Sequence, residues 1–332
     1  MNRLAVVGGG SWGTALAIVL APRFDGVRLW VREPDLAAEM RETRENRVFL
    51  PGFQLPPSVG ISSDLSAAVD SADILLSVVP SAYLRGLYEQ MAPMLRPETL
   101  FVSATKGLER GTLRRMSDVI AETLAPRFPA RVCVLSGPTF AREVAREDPT
   151  AVVVASSDRE AAQLIQTAFS GPTLRLYTSA DPAGVEVGGA VKNVVAIGAG
   201  VCHGLGLGHN ALAALITRGL AEISRLAAAM GGDPRTLAGL AGLGDLVLTC
   251  TGELSRNRTV GVELARGRSL DEIVASMRMV AEGVETVHAA LDLARKYGVE
   301  MPITAQMHAL LHEGRSPREA IRLLMDRSLK DE

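Results

Sequence analysis

Short apolar runs alternate with helical patterns through about the first 180 residues, and this alternation restricts the possible folds more than any other feature of the sequence. Several runs are continuously apolar, which is typical of strands buried on both faces of a parallel sheet. Strands that alternate with helices indicate a doubly wound α/β domain. The predicted strands are residues 4–7, 27–31, 74–79, 100–103, 132–135, 151–155 and 174–177. The predicted helices include residues 12–20, 82–95, 113–124 and 160–169.

After Thr178 the pattern changes to helix-start signals without strand-like runs. The chain has 332 residues, which suits two domains of about 150 residues each. We therefore predict a doubly wound (Rossmann) parallel-sheet domain over residues 1–182 and an all-α domain over residues 183–332. The helix starts are Asp181-Pro182, Asp233-Pro234, Ser269-x-x-Glu272 and Ser316-Pro317-x-Glu319.

The first strand leads into a G-x-G-x-x-G motif formed by Gly8, Gly10 and Gly13. In such a motif the first glycine permits a tight turn, the second lets the backbone approach a pyrophosphate, and the third lets the helix pack on the strand. The helix that follows offers N–H groups and the positive end of its dipole to phosphates. Because the motif lies between a strand and a helix, it predicts a dinucleotide site and not simply a glycine-rich turn.

Arg32 lies 19 residues after Gly13, at the end of the second predicted strand. Dinucleotide-binding folds hold the ribose at this place, and an arginine there can bind a 2′-phosphate, which favours NADP. The neighbouring Glu33 leaves the use of NAD open, because NAD-specific folds hold the 2′-hydroxyl with an acidic residue. Arg32 could also be a solvated charge at a strand end. The predicted coenzyme is NADP or NAD.

Composition excludes several classes of function. The net charge of −2 and the aromatic content of 4% give no basis for binding nucleic acid or an anionic membrane surface. The three cysteines form no C-x-x-C pair, which suits a reducing cytoplasm. The apolar run at the N-terminus is too short for a signal peptide, and no uninterrupted apolar stretch approaches 18 residues. We therefore expect a cytoplasmic protein without a membrane span.

Lys106 follows a predicted buried strand directly, within Thr105-Lys106-Gly107. Ligands of parallel sheets bind beyond the carboxyl ends of the strands, so its ammonium group is a candidate for the ligand crevice. A surface lysine before a glycine turn is an equally good interpretation of the same residues.

Lys192 and Asn193 lie within VEVGGAVKNVVAIGAG, a segment of small and apolar residues that predicts a buried helix. A buried lysine is costly unless it is paired or used. Burial favours its neutral form and so lowers its pKa toward neutrality, and a lysine with such a pKa is a competent general acid or base. Asp245, in AGLGDLVLTC, could pair with a lysine or serve only as a helix cap.

TGELSRNRTVG places Ser255, Arg256 and Asn257 just before a probable helix, which suits either a substrate phosphate or a capped, solvated turn. The segment from Cys202 to Asn210 lacks the ligand spacing of a metal site, so we predict no metal.

With these residues in place, the chain resembles the bacterial NAD(P)-dependent glycerol-3-phosphate dehydrogenases along almost its whole length. The motifs that carry the resemblance are GGGSWGTALA, ATKGLE, LSGPTFAREVA, GGAVKNVVAIGAG, NALAALITRGLAE, AGLGDLVLTCT and SRNRTVG. The resemblance implies reduction of dihydroxyacetone phosphate to sn-glycerol 3-phosphate for phospholipid synthesis, by a cytoplasmic enzyme that is usually a homodimer.

The resemblance also implies roles for individual residues. Lys192 would exchange the proton, and Lys106 would help to stabilise the developing oxyanion. The residues that would line the small phosphorylated substrate are Lys106, Gly137, Thr139, Lys192, Asp245, Ser255, Arg256 and Asn257. Those that would contact the coenzyme, besides the motif glycines Gly8, Gly10 and Gly13, are Ser11, Trp12, Arg32, Lys106, Ala141, Arg256, Val280 and Glu282.

Two alternatives share this domain order. One is another dehydrogenase, of the 6-phosphogluconate, 3-hydroxyacyl-CoA or ketopantoate type. The other is a regulator that binds NADP without turnover, which the buried-looking Lys192 disfavours because a sensor needs no proton donor.

Overall fold

The computed structural model describes residues 2–277 and 281–329. The chain divides into two compact units, Met1–Glu186 and Val187–Glu332. The division expected from the sequence, between residues 182 and 183, lies four residues earlier, at the first residue of the long helix Pro182–Gly204.

The strands all belong to the first unit. They are β1 (Arg3–Val7), β2 (Gly26–Trp30), β3 (Glu45–Asn46), β4 (Leu50–Gln54), β5 (Val59–Ser62), β6 (Ile74–Ser77), β7 (Leu100–Ser103), β8 (Arg131–Ser136), β9 (Thr150–Ala155) and β10 (Leu174–Ser179). Eight of them form one sheet in the order β10-β9-β8-β7-β6-β1-β2-β5, and β3 and β4 form a separate antiparallel hairpin. The strand order reverses between β6 and β1, which is where open α/β sheets bind ligands.

Helices cover both faces of the sheet. They are α1 (Ser11–Leu20), α2 (Pro34–Thr43), α3 (Leu65–Val69), α4 (Ser81–Met91), α5 (Met116–Leu124), α6 (Ala141–Ala145) and α7 (Arg159–Phe169), with 3-10 turns at Ala21–Arg23 and Ala92–Met94. Successive residues of β6 belong to different cores: Leu76 packs with Leu16 of α1, whereas Leu75 packs with Tyr88 of α4. Burial on both faces explains the continuously apolar strands.

All seven strands predicted from the apolar runs are present, but the sheet is not wholly parallel. β9 runs antiparallel to β8, with Ser136 opposite Val153. Because α6 has only five residues, it is shorter than the strand before it and does not return the chain to the other end of the sheet, as a parallel crossover requires. Strand β5 and the hairpin β3–β4 were not predicted from the sequence.

The second unit is helical, as predicted. Its helices, the first of which begins in the first unit, are α8 (Pro182–Gly204), α9 (His209–Ala229), α10 (Asp245–Thr251), α11 (Arg256–Ala265), α12 (Leu270–Ser276), α13 (Glu282–Tyr297), α14 (Pro302–His312) and α15 (Pro317–Met325). A 3-10 turn (Pro234–Ala238) and a π-helical turn (Leu240–Gly244) precede α10. Within residues 187–277 and 281–329 there is no strand. The predicted capping box of Ser269 and Glu272 is present at the start of α12.

Helix α8 forms the centre of the second unit's core, where Val194, Ile197 and Val201 pack together. It is the one helix in the described part of the chain that is long and apolar enough to cross a membrane, and its apolar window is wholly buried within the fold. Such burial is typical of the core helix of a globular protein.

Glu186 ties the first turns of α8 to the start of α5. Its two carboxylate oxygens accept hydrogen bonds from the Ser117 N–H at 2.8 Å and from the Ser117 hydroxyl at 2.5 Å. Arg115 lies 3.3 Å from the same carboxylate. Burial raises the pKa of Glu186 to about 7, although these partners oppose the shift.

This pKa predicts that Glu186 lowers stability as the pH rises. The folded state holds the proton more tightly than the unfolded state, so stability from this group falls between about pH 4.5 and pH 7. We subtract the unfolding free energy of the native protein from that of Glu186→Gln, which has no titrating group at this position. This difference should be about 2–3 kcal/mol larger at pH 8 than at pH 5. Urea unfolding at both values, followed by the fluorescence of Trp12 and Trp30, measures the difference. A constant difference between the two proteins would contradict the raised pKa.

Candidate functional site

The glycine motif forms a tight turn between β1 and α1. Gly8 has a φ of +128°, a conformation that favours glycine, and its N–H donates to Trp30 O at 3.2 Å. A Cβ on Gly8 would meet the Val78 carbonyl of the neighbouring strand end, and one on Gly13 would meet the Gly8 carbonyl. A Cβ on Gly10 would meet no atom within 4 Å. The first and third glycines are thus fixed by close packing, while the second borders open space.

That open space fits a pyrophosphate. Gly10 is the N-cap of α1 and offers no side chain, and Thr14 N–H is the first to bond within the helix, to Gly10 O at 2.9 Å. The N–H groups of the first turn, which includes Ser11 and Trp12, therefore lack intrahelical acceptors and are available to an anion. The residues present fit the dinucleotide that the sequence predicts.

Arg32 lies two residues beyond β2, and its guanidinium is held by two neighbours. Glu33 pairs with it at 2.6 Å, and the Tyr83 ring of α4 lies 5.8 Å from the guanidinium carbon. The Arg32 side chain is 67% exposed and that of Glu33 45%, so the pair faces solvent. Glu33 raises the pKa of Arg32, mainly through their hydrogen bond. Tyr83 is distant from Arg32 in sequence, and its contact with Arg32 was not predicted.

Lys106 belongs to the loop after β7 and therefore lies at the same carboxyl edge of the sheet as Gly8, because β7, β6 and β1 are adjacent and parallel. The loop is tied to α4 by a bidentate pair in which Arg85 donates to Glu109 at 2.8 and 2.9 Å. Thr105 accepts a hydrogen bond from Val79 N–H at 3.2 Å, which joins the ends of β6 and β7.

Three further candidates follow β8, the next strand at this edge. Gly137 has a φ of +155°, and a Cβ there would lie 3.0 Å from the Val152 Cα, so β9 leaves room only for glycine. Thr139 donates its hydroxyl hydrogen to Gly137 O at 3.2 Å. Ala141 is the first residue of α6. The first-unit candidates are thus gathered at one edge of the sheet.

In the second unit, Lys192 and Asp245 form a buried ion pair. The Lys192 Nζ donates to Asp245 Oδ1 and, at 2.8 Å, to the Thr249 hydroxyl oxygen. The side chains of Lys192 and Asp245 are only 5% and 1% exposed. Asp245 is the first residue of α10 and does not cap it, so of the two interpretations of Asp245 the lysine partner is correct. The carboxylate favours the ammonium form of the lysine, which is the form that a proton donor needs.

Thr249, which was not predicted as a site residue, completes this arrangement. Its hydroxyl donates to Asp245 O at 2.6 Å while accepting from Lys192. Residues four apart share a helix face, so the spacing from Asp245 was the available signal. Cys250, the next residue, is buried, and burial raises the pKa of its thiol to about 12 although Lys192 opposes the shift.

The start of α11 combines a capped helix with a cation. Ser255 is the N-cap, and its hydroxyl accepts from Arg258 N–H at 3.2 Å, so its oxygen is already used in the fold. Asn257 is buried, and its Oδ1 accepts from Gly283 N–H at 2.9 Å. Arg256, between them, is partly exposed in the first turn of α11.

Glu282 begins α13 and accepts a hydrogen bond from the Asn193 amide at 3.5 Å. This contact places it beside the residue that follows Lys192. Val280, another expected coenzyme contact, lies outside the described residues. The part of the chain that the structure describes contains no group of three His, Cys, Asp or Glu residues that could hold a metal ion.

Comparisons with known proteins identify the same family in both halves of the chain. Residues 3–162 match the family model of the NAD-dependent glycerol-3-phosphate dehydrogenase N-terminus, and residues 181–322 match that of the C-terminus. The chain is 58% identical to a glycerol-3-phosphate dehydrogenase [NAD(P)+] of Koribacter versatilis, with 98% of both chains covered. It is 53% identical to that of Geobacter metallireducens, over 100% of this chain and 99% of the relative. A crystal structure of a glycerol-3-phosphate dehydrogenase from Coxiella burnetii is 41% identical, with a TM-score of 0.93 over 98% of this chain and 99% of that one.

Proposed function

The chain belongs to the NAD-dependent glycerol-3-phosphate dehydrogenase family, and on this premise we propose which residues carry out the reaction in this protein. It is an NAD(P)-dependent oxidoreductase that reduces dihydroxyacetone phosphate to sn-glycerol 3-phosphate. The observation that carries the assignment of residues is the buried Lys192, held by Asp245 and Thr249. These two partners fix the direction of the buried Lys192 Nζ, as a proton donor in a site requires.

The first unit binds the coenzyme. Gly10 and the first-turn N–H groups at Ser11 and Trp12 hold the pyrophosphate, and Arg32 contacts the adenosine ribose or its phosphate. We assign Ala141, Arg256, Val280 and Glu282 as further coenzyme contacts. When bound, the reduced nicotinamide supplies a hydride for the ketone carbon.

The lysines carry out the proton chemistry. Lys192 delivers a proton to the carbonyl oxygen during reduction and accepts it again in the reverse direction. Asp245 stabilises the ammonium form before transfer, and the Thr249 hydroxyl fixes the direction of Nζ. Lys106 stabilises the negative charge that develops on the substrate oxygen.

Arg256 binds the substrate phosphate, with the amide of Asn257 and the N-terminus of α11 as further donors. The Asn257 oxygen accepts from Gly283 N–H, and since a phosphate needs hydrogen-bond donors, the NH₂ group is the part of the amide offered to the ligand. Gly137, Thr139 and Ser255 complete the proposed substrate contacts. Binding of the remote phosphate orients the carbonyl for reaction.

The test is coenzyme oxidation by the purified protein with a series of ketones. We expect turnover of NADPH or NADH with dihydroxyacetone phosphate, and rates at least about 100-fold lower with dihydroxyacetone, 2-oxo acids or ketopantoate. Turnover with ketopantoate or a 3-oxoacyl thioester instead would favour the other dehydrogenases. Coenzyme binding without turnover of any ketone would favour the regulator.

Glu33 is expected to weaken the binding of NADP(H). It pairs with Arg32, so a 2′-phosphate must displace a carboxylate to reach the guanidinium. Because the pair is exposed, we expect Glu33→Gln to lower the Kd of NADPH by only about 2–5-fold and to leave that of NADH nearly unchanged. Titrations followed by tryptophan fluorescence measure both constants. Glu39→Gln is the control, because this partly exposed carboxylate of α2 pairs with Arg47 and not with Arg32. An equal change for both coenzymes would contradict this role.

We propose further that the enzyme is a cytoplasmic homodimer that supplies phospholipid synthesis. Light scattering of the purified protein tests the oligomeric state, and a mass of about twice 35.1 kDa is expected.

A further inference from the structure

We propose that Asn46, on the hairpin β3–β4, is a positioning residue that fixes the N–H groups of the glycine turn toward the dinucleotide. The inference rests on the coenzyme role proposed for that turn. It concerns a residue outside both the motif and the central sheet, 37 positions from the glycine it contacts.

Asn46 is fully buried and uses its whole side chain. Its Nδ2 donates to Gly9 O at 2.8 Å and to the Thr14 hydroxyl at 2.8 Å, and its Oδ1 accepts from Phe49 N–H at 3.0 Å. The bond with Phe49 lies within the hairpin, whereas the bonds with Gly9 and Thr14 reach the turn and α1. Only an amide of this length supplies two donor hydrogens and one acceptor to these positions.

The bond to Gly9 determines the direction of a donor that the coenzyme needs. The Gly9 carbonyl and the Gly10 N–H belong to one planar trans peptide, so they point in opposite directions. Asn46 holds the carbonyl toward the hairpin, and the Gly10 N–H therefore points away from it. Gly10 is also the position that borders open space.

Thr14 holds the next peptide in the same way. Its N–H donates to Gly10 O at 2.9 Å, so the Ser11 N–H of that same peptide points out of the N-terminal end of α1, roughly along the helix axis. The Thr14 hydroxyl accepts from Asn46. The Asn46 side chain therefore bonds directly to the Gly9–Gly10 peptide and contacts Thr14, which holds the Gly10–Ser11 peptide. Val31 also packs closely against Gly9, because a Cβ on Gly9 would lie 2.7 Å from the Val31 side chain. The two donors are therefore preorganised before the ligand arrives.

The hairpin is itself firmly attached, as a positioning element must be. Leu50, opposite Asn46, is fully buried in the same core as α1. At the base of the hairpin, Arg44 donates to the carbonyls of Pro56 and Val59, the latter at 2.8 Å, and so joins the hairpin to β5.

The test compares coenzyme affinity in three variants of the intact protein. Trp12 and Trp30 are the two tryptophans of the chain, and both flank the glycine turn, so quenching of their fluorescence reports binding at this place. We expect Asn46→Ala to raise the Kd of both NADPH and ADP-ribose about tenfold, because both carry the pyrophosphate. At saturating coenzyme, kcat should stay within about threefold of the native value, since only binding is affected.

Thr14→Val is the milder second variant, which keeps the bond from Asn46 to Gly9, and we expect it to raise both constants about threefold. Glu45→Gln is the matched control. Glu45 neighbours Asn46 in the hairpin, accepts from Gly52 N–H at 2.7 Å and contacts no residue of the turn among its hydrogen bonds, so the constants should not change.

Three results would overturn the inference. They are unchanged constants in both Asn46→Ala and Thr14→Val, equal weakening in Glu45→Gln, and a fall in kcat without a change in Kd. If the native protein itself binds neither coenzyme, the proposed function fails together with this inference. Native binding with unchanged variants removes the role of Asn46 alone.

Discussion

Lys192→Met is expected to lower kcat by about 10²–10⁴-fold while the Kd of NADPH stays within a few-fold of the native value. The variant removes the proton donor and leaves the glycine turn of the first unit intact. Steady-state rates with dihydroxyacetone phosphate and tryptophan quenching by NADPH measure the two quantities separately. Near-normal turnover would exclude Lys192 as the donor.

The same variant leaves the Asp245 carboxylate buried without its cation, which is expected to cost about 3–5 kcal/mol of stability. Loss of activity could then reflect unfolding. The double variant Lys192→Met with Asp245→Asn removes the unpaired charge, so it should recover most of the stability and none of the turnover. Recovery of activity together with stability would mean that Lys192 has a structural role only.

Arg256→Ala is expected to raise the KM for dihydroxyacetone phosphate by about 10–100-fold, the effect of losing hydrogen bonds between a cation and a charged group. Because Arg256 is also assigned to the coenzyme, both rates are measured at saturating coenzyme. The rate with phosphate-free dihydroxyacetone should then change by no more than a few-fold, since that ketone never makes the lost contact with a substrate phosphate. Rates with the two ketones, measured side by side, give the comparison.

Arg266→Ala is the control for this experiment. Arg266 lies just past the C-terminus of the same helix, where it pairs with Glu263, and is 62% exposed. It should leave both rates unchanged. If Arg256→Ala lowers the rates with both ketones by the same factor, Arg256 does not bind the phosphate.

Features that depend on neighbouring residues could be predicted from the sequence. The apolar runs predicted the strands because a strand buried on both faces of a sheet consists almost entirely of apolar residues. The glycine motif predicted the turn because Gly8 and Gly13 lie too close to neighbouring backbone for any larger residue. Lys192 stood out because a charge within an apolar helix needs a partner, and Asp245 proved to be that partner. The family match over both halves excludes the other dehydrogenases that the domain order left open.

Features that depend on distant contacts could not be predicted. The contacts of Asn46 with Gly9 and Thr14 join residues more than 30 positions apart, and nothing local marks that asparagine. Tyr83 reaches Arg32 only because α4 follows β6, which lies near β2 in the sheet. The antiparallel direction of β9 follows from the shortness of α6, which has only five residues, and no local signal in the sequence sets that length. Helix α5 begins at Met116 and not at Leu113, which adopts a left-handed conformation with a φ of +59°.

Burial of the cysteines, including Cys250 beside the Lys192 pair, determines how the protein reacts with thiol reagents. Cys250 is one of three cysteines in the chain, and the other two, Cys133 and Cys202, are also buried. Burial raises the pKa of each thiol, so the reactive thiolate is scarce at neutral pH. The folded enzyme should therefore resist alkylating reagents, and a single cysteine introduced on its surface would accept a spectroscopic label at that position alone.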